Sequence, residues 1–221
     1  MNNTSNDIQI QSDYWNRELD AFSRIYSQRK SKLSVLLDRI FRRDMFERFQ
    51  FTIENCAPFE GDSFLDVGCG TGIYDFELVR RGAARVVGID IAENMIRCCR
   101  EGAEQNGCAD RCTFVHADLL EYQPDCTFNV TFGIGLFDYI PDPLPVLEKM
   151  RGVTSDKVIV SFPRFWTWRA PLRKLRLTLR GCPVYFFTRR KVSRLMTQAG
   201  FASHSITRIG KLHCVIARVK D

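Results

Sequence analysis

The chain has 221 residues, 45% hydrophobic and 26% charged side chains and a formal net charge of +6, the profile of one globular domain rather than a disordered chain, a fibrous repeat or a multidomain machine. Its longest uncharged apolar stretch, residues 128–137, is half of the ~20 residues that a membrane-crossing helix needs, and the first residues lack the basic and apolar regions of a signal peptide; no span and a cytoplasmic location are expected. Residues 151–221 carry sixteen basic and two acidic side chains, against seven and fifteen in residues 61–150, a polarity that suits an anionic partner or membrane surface, or else a solubilising face.

From Asp13 to about Cys56 the apolar residues recur at helical spacing, as in Leu33, Leu36, Leu37, Ile40 and Phe41, which predicts a helical N-terminal region with Ser31 as a cap. Strands are predicted at Phe64–Val67, Arg85–Ile89, Thr113–His116, Asn129–Ile134 and Lys157–Phe162. Helices are predicted between them at Ile73–Arg81, Ala92–Asn106 and Pro143–Met150. This alternation argues for a parallel sheet covered on both faces. A helix from Thr188 to Gln198 precedes two strands, Ser203–Ile209 and Leu212–Val219, joined by a link too short for a helical crossover and so paired as a hairpin. Nine cysteines without paired C-x-x-C spacing or a suitably placed histidine read as free thiols, with no metal site expected.

The segment Phe64-Leu65-Asp66-Val67-Gly68-Cys69-Gly70-Thr71-Gly72 is an apolar strand running through three glycines into a helix. Such a turn lets a ligand approach the backbone beside unpaired helix N–H groups, although any tight strand-to-helix connection can use glycines. A second signal supports the ligand reading: Val86-Val87-Gly88-Ile89-Asp90 ends in a carboxylate eighteen residues beyond Gly72, where it can accept from ribose hydroxyls. The spacing is G-x-G-x-G rather than G-x-G-x-x-G, and Asp66 would repel a diphosphate but suits a ligand with ammonium and sulfonium charge.

These residues resemble the class I S-adenosylmethionine-dependent methyltransferases, over about 160 residues from Phe64 onward. The resemblance implies a Rossmann-like α/β fold, a mostly parallel seven-stranded sheet with an antiparallel last strand. Residues 1–60 would form a helical N-terminal extension or lid and residues 61–221 the S-adenosylmethionine-binding domain. By the same resemblance Gly68, Gly70 and Gly72 pass under the cofactor, Asp66 helps hold its methionine moiety, and Asp90 binds the ribose, with Ile91 and Met95 against the adenine. Phe114-Val115-His116-Ala117-Asp118-Leu119 matches a third motif, so that Asp118 accepts from the adenine amino group and Leu119 lines the ring. Asp118 as a cap and Met95 as a core residue are the alternatives.

Acceptor-facing residues of the family follow the fourth strand, here Gly133-Ile134-Gly135-Leu136-Phe137-Asp138-Tyr139, with Gly133 beside the cofactor. Many relatives have histidines where this chain has Asp138 and Tyr139, which makes Asp138 the first candidate for a base and Tyr139 the second, against a cap or solvent role. Phe22-Ser23-Arg24-Ile25-Tyr26 is similar to a segment of the magnesium-protoporphyrin O-methyltransferases, which implies that Tyr26 reaches into the site from the lid, unless it is a core tyrosine. In residues 164–180, a helix opened by Pro171 would put Arg169, Arg173, Arg176 and Arg180 on one face and Leu172, Leu175 and Leu179 on another. With Phe165, Trp166 and Trp168 beside it, this suits peripheral contact with an anionic membrane or a cover for an apolar, anionic acceptor; a strand through Leu175, Leu177 and Leu179 competes. The function expected is methyl transfer to a small-molecule acceptor, at oxygen. An RNA methyltransferase, disfavoured because the chain lacks the segments used on base amines and pyrimidine carbon, and a non-catalytic partner subunit are the competing readings.

Overall fold

A computed structural model describes residues 11–14, 16, 43–165 and 184–220. After a helical turn at 11–14, the elements are α1 (Arg43–Cys56), β1 (Ser63–Val67), α2 (Ile73–Arg80), β2 (Arg85–Asp90), α3 (Glu93–Gln105), β3 (Cys112–His116) and β4 (Phe128–Gly133). They continue with α4 (Leu144–Gly152), β5 (Thr154–Pro163), α5 (Arg189–Gln198), β6 (Ser203–Ile209) and β7 (Leu212–Arg218). Seven strands form one sheet in the order β3-β2-β1-β4-β5-β7-β6. β7 alone runs opposite in direction to the other six strands, which is the expected Rossmann-like arrangement.

Side-chain alternation along the strands divides the core in two. Phe64, Val86, Val130 and Phe132 face one side, where they pack with Ile53 of α1, Leu78 of α2 and Ile96 of α3. Leu65, Val87, Val158 and Phe162 face the other, with Leu147 and Met150 of α4 and Val192, Leu195 and Met196 of α5. Burial on both faces explains why the central strands read as unbroken apolar runs. The strand expected at Lys157–Phe162 begins three residues earlier, at Thr154. An extra residue between the pairs Phe128↔Thr154 and Val130↔Lys157 makes a bulge, and this carries the polar Ser155 and Asp156 into the strand against the local apolar pattern.

The order reverses at β1, since the chain moves outward from β1 to β2 and β3, then returns to lay β4 on its other side. Such a switch point leaves a crevice beyond the carboxyl ends of β1 and β4, where open α/β sheets bind ligands.

Candidate active site

The glycine turn after β1 floors that crevice. Gly68, Gly70 and Gly72 have φ of 76°, 56° and 73°, the left-handed region that side chains with a Cβ resist. The turn is tied to β2: Gly68 and Cys69 N–H both donate to Ile89 O at 2.8 and 3.1 Å, and Gly70 N–H donates to the Asp90 carboxylate at 2.9 Å. α2 follows from Gly72 without a side-chain cap, so its first N–H groups are left for solvent or a ligand. Beneath the turn, Cys99 Sγ donates to Gly70 O at 3.1 Å and lies 4.0 Å from Cys69 Sγ; all described cysteines are free thiols. Arg48, Asp66, Gly68, Cys69, Gly70, Thr71, Ile73, Tyr74 and Ile134 line a small open cleft of about 40 Å³.

Three carboxyls stand around this turn. Asp90, partly buried, accepts from Ala92 N–H at 2.9 Å as well as from Gly70. Burial raises its pKa and these two backbone bonds oppose the rise; each oxygen keeps a lone pair for a further donor. Asp66, 2% exposed, lines the cleft from β1, and burial followed by the Asp75 carboxyl next to it raises its pKa well above the usual carboxylate value. Asp75, in the first turn of α2, is fully buried, and no donor satisfies either of its side-chain oxygens. Burial pushes its pKa up to about 7. The two carboxyls form a buried dyad in which the Asp75 carboxyl disfavours ionisation of Asp66.

Arg48 of α1 is the cation of the cleft. It lines the same cavity as Asp66 and reaches the turn after β4, where a Cβ on Gly135 would lie 3.4 Å from its Nη1. An arginine in a helical pattern carries no sequence signal for this, because the contact depends on how α1 packs across the sheet. Asp75 reads in sequence as an acidic first-turn residue, and tertiary packing rather than local pattern buries it.

The remaining candidates fall on both sides of the crevice. Ile91 is partly buried, and Met95 and Leu119 are 2% and 4% exposed. Asp118 accepts from Leu120 N–H at 2.9 Å through one oxygen, a local turn that leaves the other oxygen to a ligand. Gly133 closes β4; a Cβ there would meet Leu136 Cδ2 at 3.2 Å and Val67 O at 3.5 Å. Asp138 is buried, and Asp142 rather than Asp138 accepts from the start of α4. Tyr139 is partly buried beside it. Tyr26, Ser31 and residues 166–180 lie outside the described residues.

Gln11, Ser12 and Asn16 bond to both sides of the crevice. Gln11 Nε2 donates to Tyr139 O at 2.9 Å and Ser12 Oγ to Ile91 O at 2.8 Å, while Asn94 N–H donates to Asn16 Oδ1 at 3.0 Å. They therefore join the loop after β4 to the segment between β2 and α3.

A family model described as a methyltransferase domain matches residues 58–200. The ubiquinone biosynthesis O-methyltransferase of Neisseria meningitidis serogroup C is 35% identical over 113 residues, which are 50% of this chain and 47% of that protein. The chain thus spans about half the length of that relative. The structure is similar to magnesium protoporphyrin IX methyltransferase from Synechocystis with bound S-adenosylhomocysteine, at TM-score 0.78 and 19% identity over 97% of this chain and 100% of that one. It is also similar to geranyl diphosphate C-methyltransferase from Streptomyces coelicolor, at TM-score 0.73 and 13% identity over 96% and 97%. At these identities the two likenesses concern the fold. Because the domain match takes in the glycine turn, Asp66, Asp90, Asp118 and the loop after β4, the chain belongs to the class I S-adenosylmethionine-dependent methyltransferases.

Proposed function

We propose that this chain transfers the methyl group of S-adenosylmethionine to a small-molecule acceptor that is apolar or anionic, at an oxygen atom. One observation carries the reading: the glycine turn, Asp66 and Asp90 converge on a single crevice at the switch point of the sheet. When bound, the cofactor would supply an electrophilic methyl group, with the neutral thioether of S-adenosylhomocysteine as the leaving group.

The protein's own residues then have binding, orienting and shielding roles. Asp90, fixed by two backbone N–H groups, accepts from the ribose hydroxyls. Arg48 suits the carboxylate of the methionine moiety, and Asp66 its ammonium group. Asp118, Leu119, Ile91 and Met95 serve the adenine end. Gly68, Gly70, Gly72 and Gly133 keep the floor free of side chains. Asp138, 6% exposed, takes the proton of an acceptor hydroxyl, with Tyr139 and Tyr26 as the further candidates. The bonds from Gln11, Ser12 and Asn16 to both sides of the crevice suit a lid that excludes water.

The acceptor class draws support from the names of the similar proteins, which act in ubiquinone biosynthesis, on magnesium protoporphyrin IX and on geranyl diphosphate. Peripheral contact with an anionic membrane through residues 164–180 is part of the same reading and rests on the basic last third and on Phe165, 53% exposed. No helix among the described residues is long and apolar enough to cross a membrane. The test is transfer from methyl-labelled cofactor to a panel of polyprenylated phenols, porphyrin carboxylates, prenyl diphosphates and total RNA. Label in one of the first three classes, released by ester or ether cleavage, is expected. Label confined to RNA contradicts the proposal, as does cofactor binding without transfer to any acceptor.

A further inference from the structure

Three arginines of the basic last third, Arg164, Arg189 and Arg208, lie at one corner of the sheet. Strand register sets Phe162 of β5, His213 of β7 and Arg208 of β6 in one row, so their side chains share a face. Arg164, two residues beyond Phe162, continues that face. Arg189 opens α5 just after Phe187, whose ring meets that of Phe162 at 5.1 Å. Arg164 Nη1 donates to Gly210 O at 2.9 Å and Arg189 Nη1 to Ile206 O at 2.8 Å. Two guanidinium groups are therefore anchored on the β6–β7 hairpin by one nitrogen each, with their other donors unspent.

Among the described residues no acidic side chain neutralises this corner. No carboxylate side chain occurs between Lys157 and Lys220, and among the described residues no ion pair includes Arg164, Arg189 or Arg208. The charges act on one another: Arg208 adds to desolvation in lowering the pKa of Arg164. Desolvation followed by Arg164, Arg189 and Arg208 lowers that of His213, against a bond to the Phe187 backbone. His213 is 8% exposed and its Nδ1 has no partner. Guanidinium groups held together without a counter-charge repel, and an oxyanion placed among them removes that repulsion while accepting from several forks at once.

The corner also lies at the right edge. β1, β4 and β5 end, and β7 begins, on the side of the glycine turn. At ~4.8 Å per strand, β5 and β7 are roughly 10 and 14 Å from β1, about the span of a ring system or a short prenyl chain. Leu136, Ile140 and Tyr185, which follow β4 and precede α5 in the chain, pack partly buried against the same core, and Tyr185 N–H donates to Asp138 O at 2.9 Å.

We propose that Arg164, Arg189 and Arg208 form a subsite for an oxyanion of the acceptor, a carboxylate or phosphate, which holds the acceptor's far end while its methylated atom faces the glycine turn. The role in methyl transfer rests on the function proposed above; the oxyanion site does not.

The test uses the full chain and inorganic pyrophosphate, titrated by calorimetry in parallel with S-adenosylhomocysteine. Wild type binds pyrophosphate saturably. The Arg164→Gln/Arg189→Gln/Arg208→Gln variant binds it at least about tenfold more weakly, with unchanged S-adenosylhomocysteine affinity. Because two of these arginines also bond the hairpin backbone, Arg208→Gln alone is the second variant: it makes no such bond and is expected to weaken pyrophosphate severalfold. Absence of saturable pyrophosphate binding, or equal affinity in all three proteins, overturns the subsite. Loss of phosphatidylglycerol vesicle cosedimentation in the triple variant with pyrophosphate affinity unchanged also overturns it, in favour of a membrane surface. Failure of wild type to bind S-adenosylhomocysteine strikes the methyl-transfer reading alone.

Discussion

Asp75 shows how one residue can set the pH behaviour of a site it does not line. Burial holds its carboxyl at about 7 and, with Asp75 as neighbour, that of Asp66 well above the usual 3.8. Cys69 of the turn, Cys99 of α3, Cys112 of β3 and Asp90 of β2 stand around the pair and add no positive charge. The folded state therefore keeps protons that the unfolded chain has lost. The stability linked to them is complete below about pH 4 and is lost as pH rises through about 7 and beyond. We expect the wild-type unfolding midpoint to fall between about pH 5 and about pH 8, and Asp75→Asn to reduce that fall by on the order of a few kcal/mol. Equal slopes in urea titrations of the two proteins would contradict the dyad. Of the three carboxyls, Asp66 and Asp90 are legible in the sequence because each sits at a fixed offset from a glycine turn or a strand end. Asp75 is not, since its burial comes from tertiary packing.

At the scale of elements, the strand and helix periods locate all seven strands and the helices between them, because both faces of the sheet are buried and each strand is bounded by turn residues. What the local pattern misses is set by tertiary pairing: the early start of β5 at its bulge, and the bond of Lys157 Nζ to Ala57 O at 2.7 Å, which turns a strand lysine inward. The helical periodicity of the N-terminal region likewise gives no sign of where it docks. The contacts of Gln11, Ser12 and Asn16 with Tyr139, Ile91 and Asn94 make a strap between the two walls of the proposed cofactor crevice. A hydrogen bond of this kind contributes ~1 kcal/mol, so Ser12→Ala/Asn16→Ala should speed S-adenosylhomocysteine dissociation about fivefold or more in stopped-flow measurements and leave the melting temperature unchanged. An unaltered dissociation rate would show that the strap does not close over the cofactor.

Over the whole molecule, the sheet order converts a division in the sequence into a division in space. β3, β2, β1 and β4 come from the acidic middle of the chain and β5, β7 and β6 from the basic last third, so the cofactor crevice opens near the boundary between a negative and a positive half. A sulfonium cofactor suits the first and an anionic acceptor the second. Both assignments depend on the crevice at the switch point being the S-adenosylmethionine site. Calorimetric titration of S-adenosylhomocysteine into wild type and Asp90→Ala measures this directly. The account predicts one site per chain in wild type and at least about tenfold weaker binding in the variant, as expected for loss of charge-assisted bonds to two hydroxyls. No binding by wild type, or equal affinity in the two proteins, would contradict it.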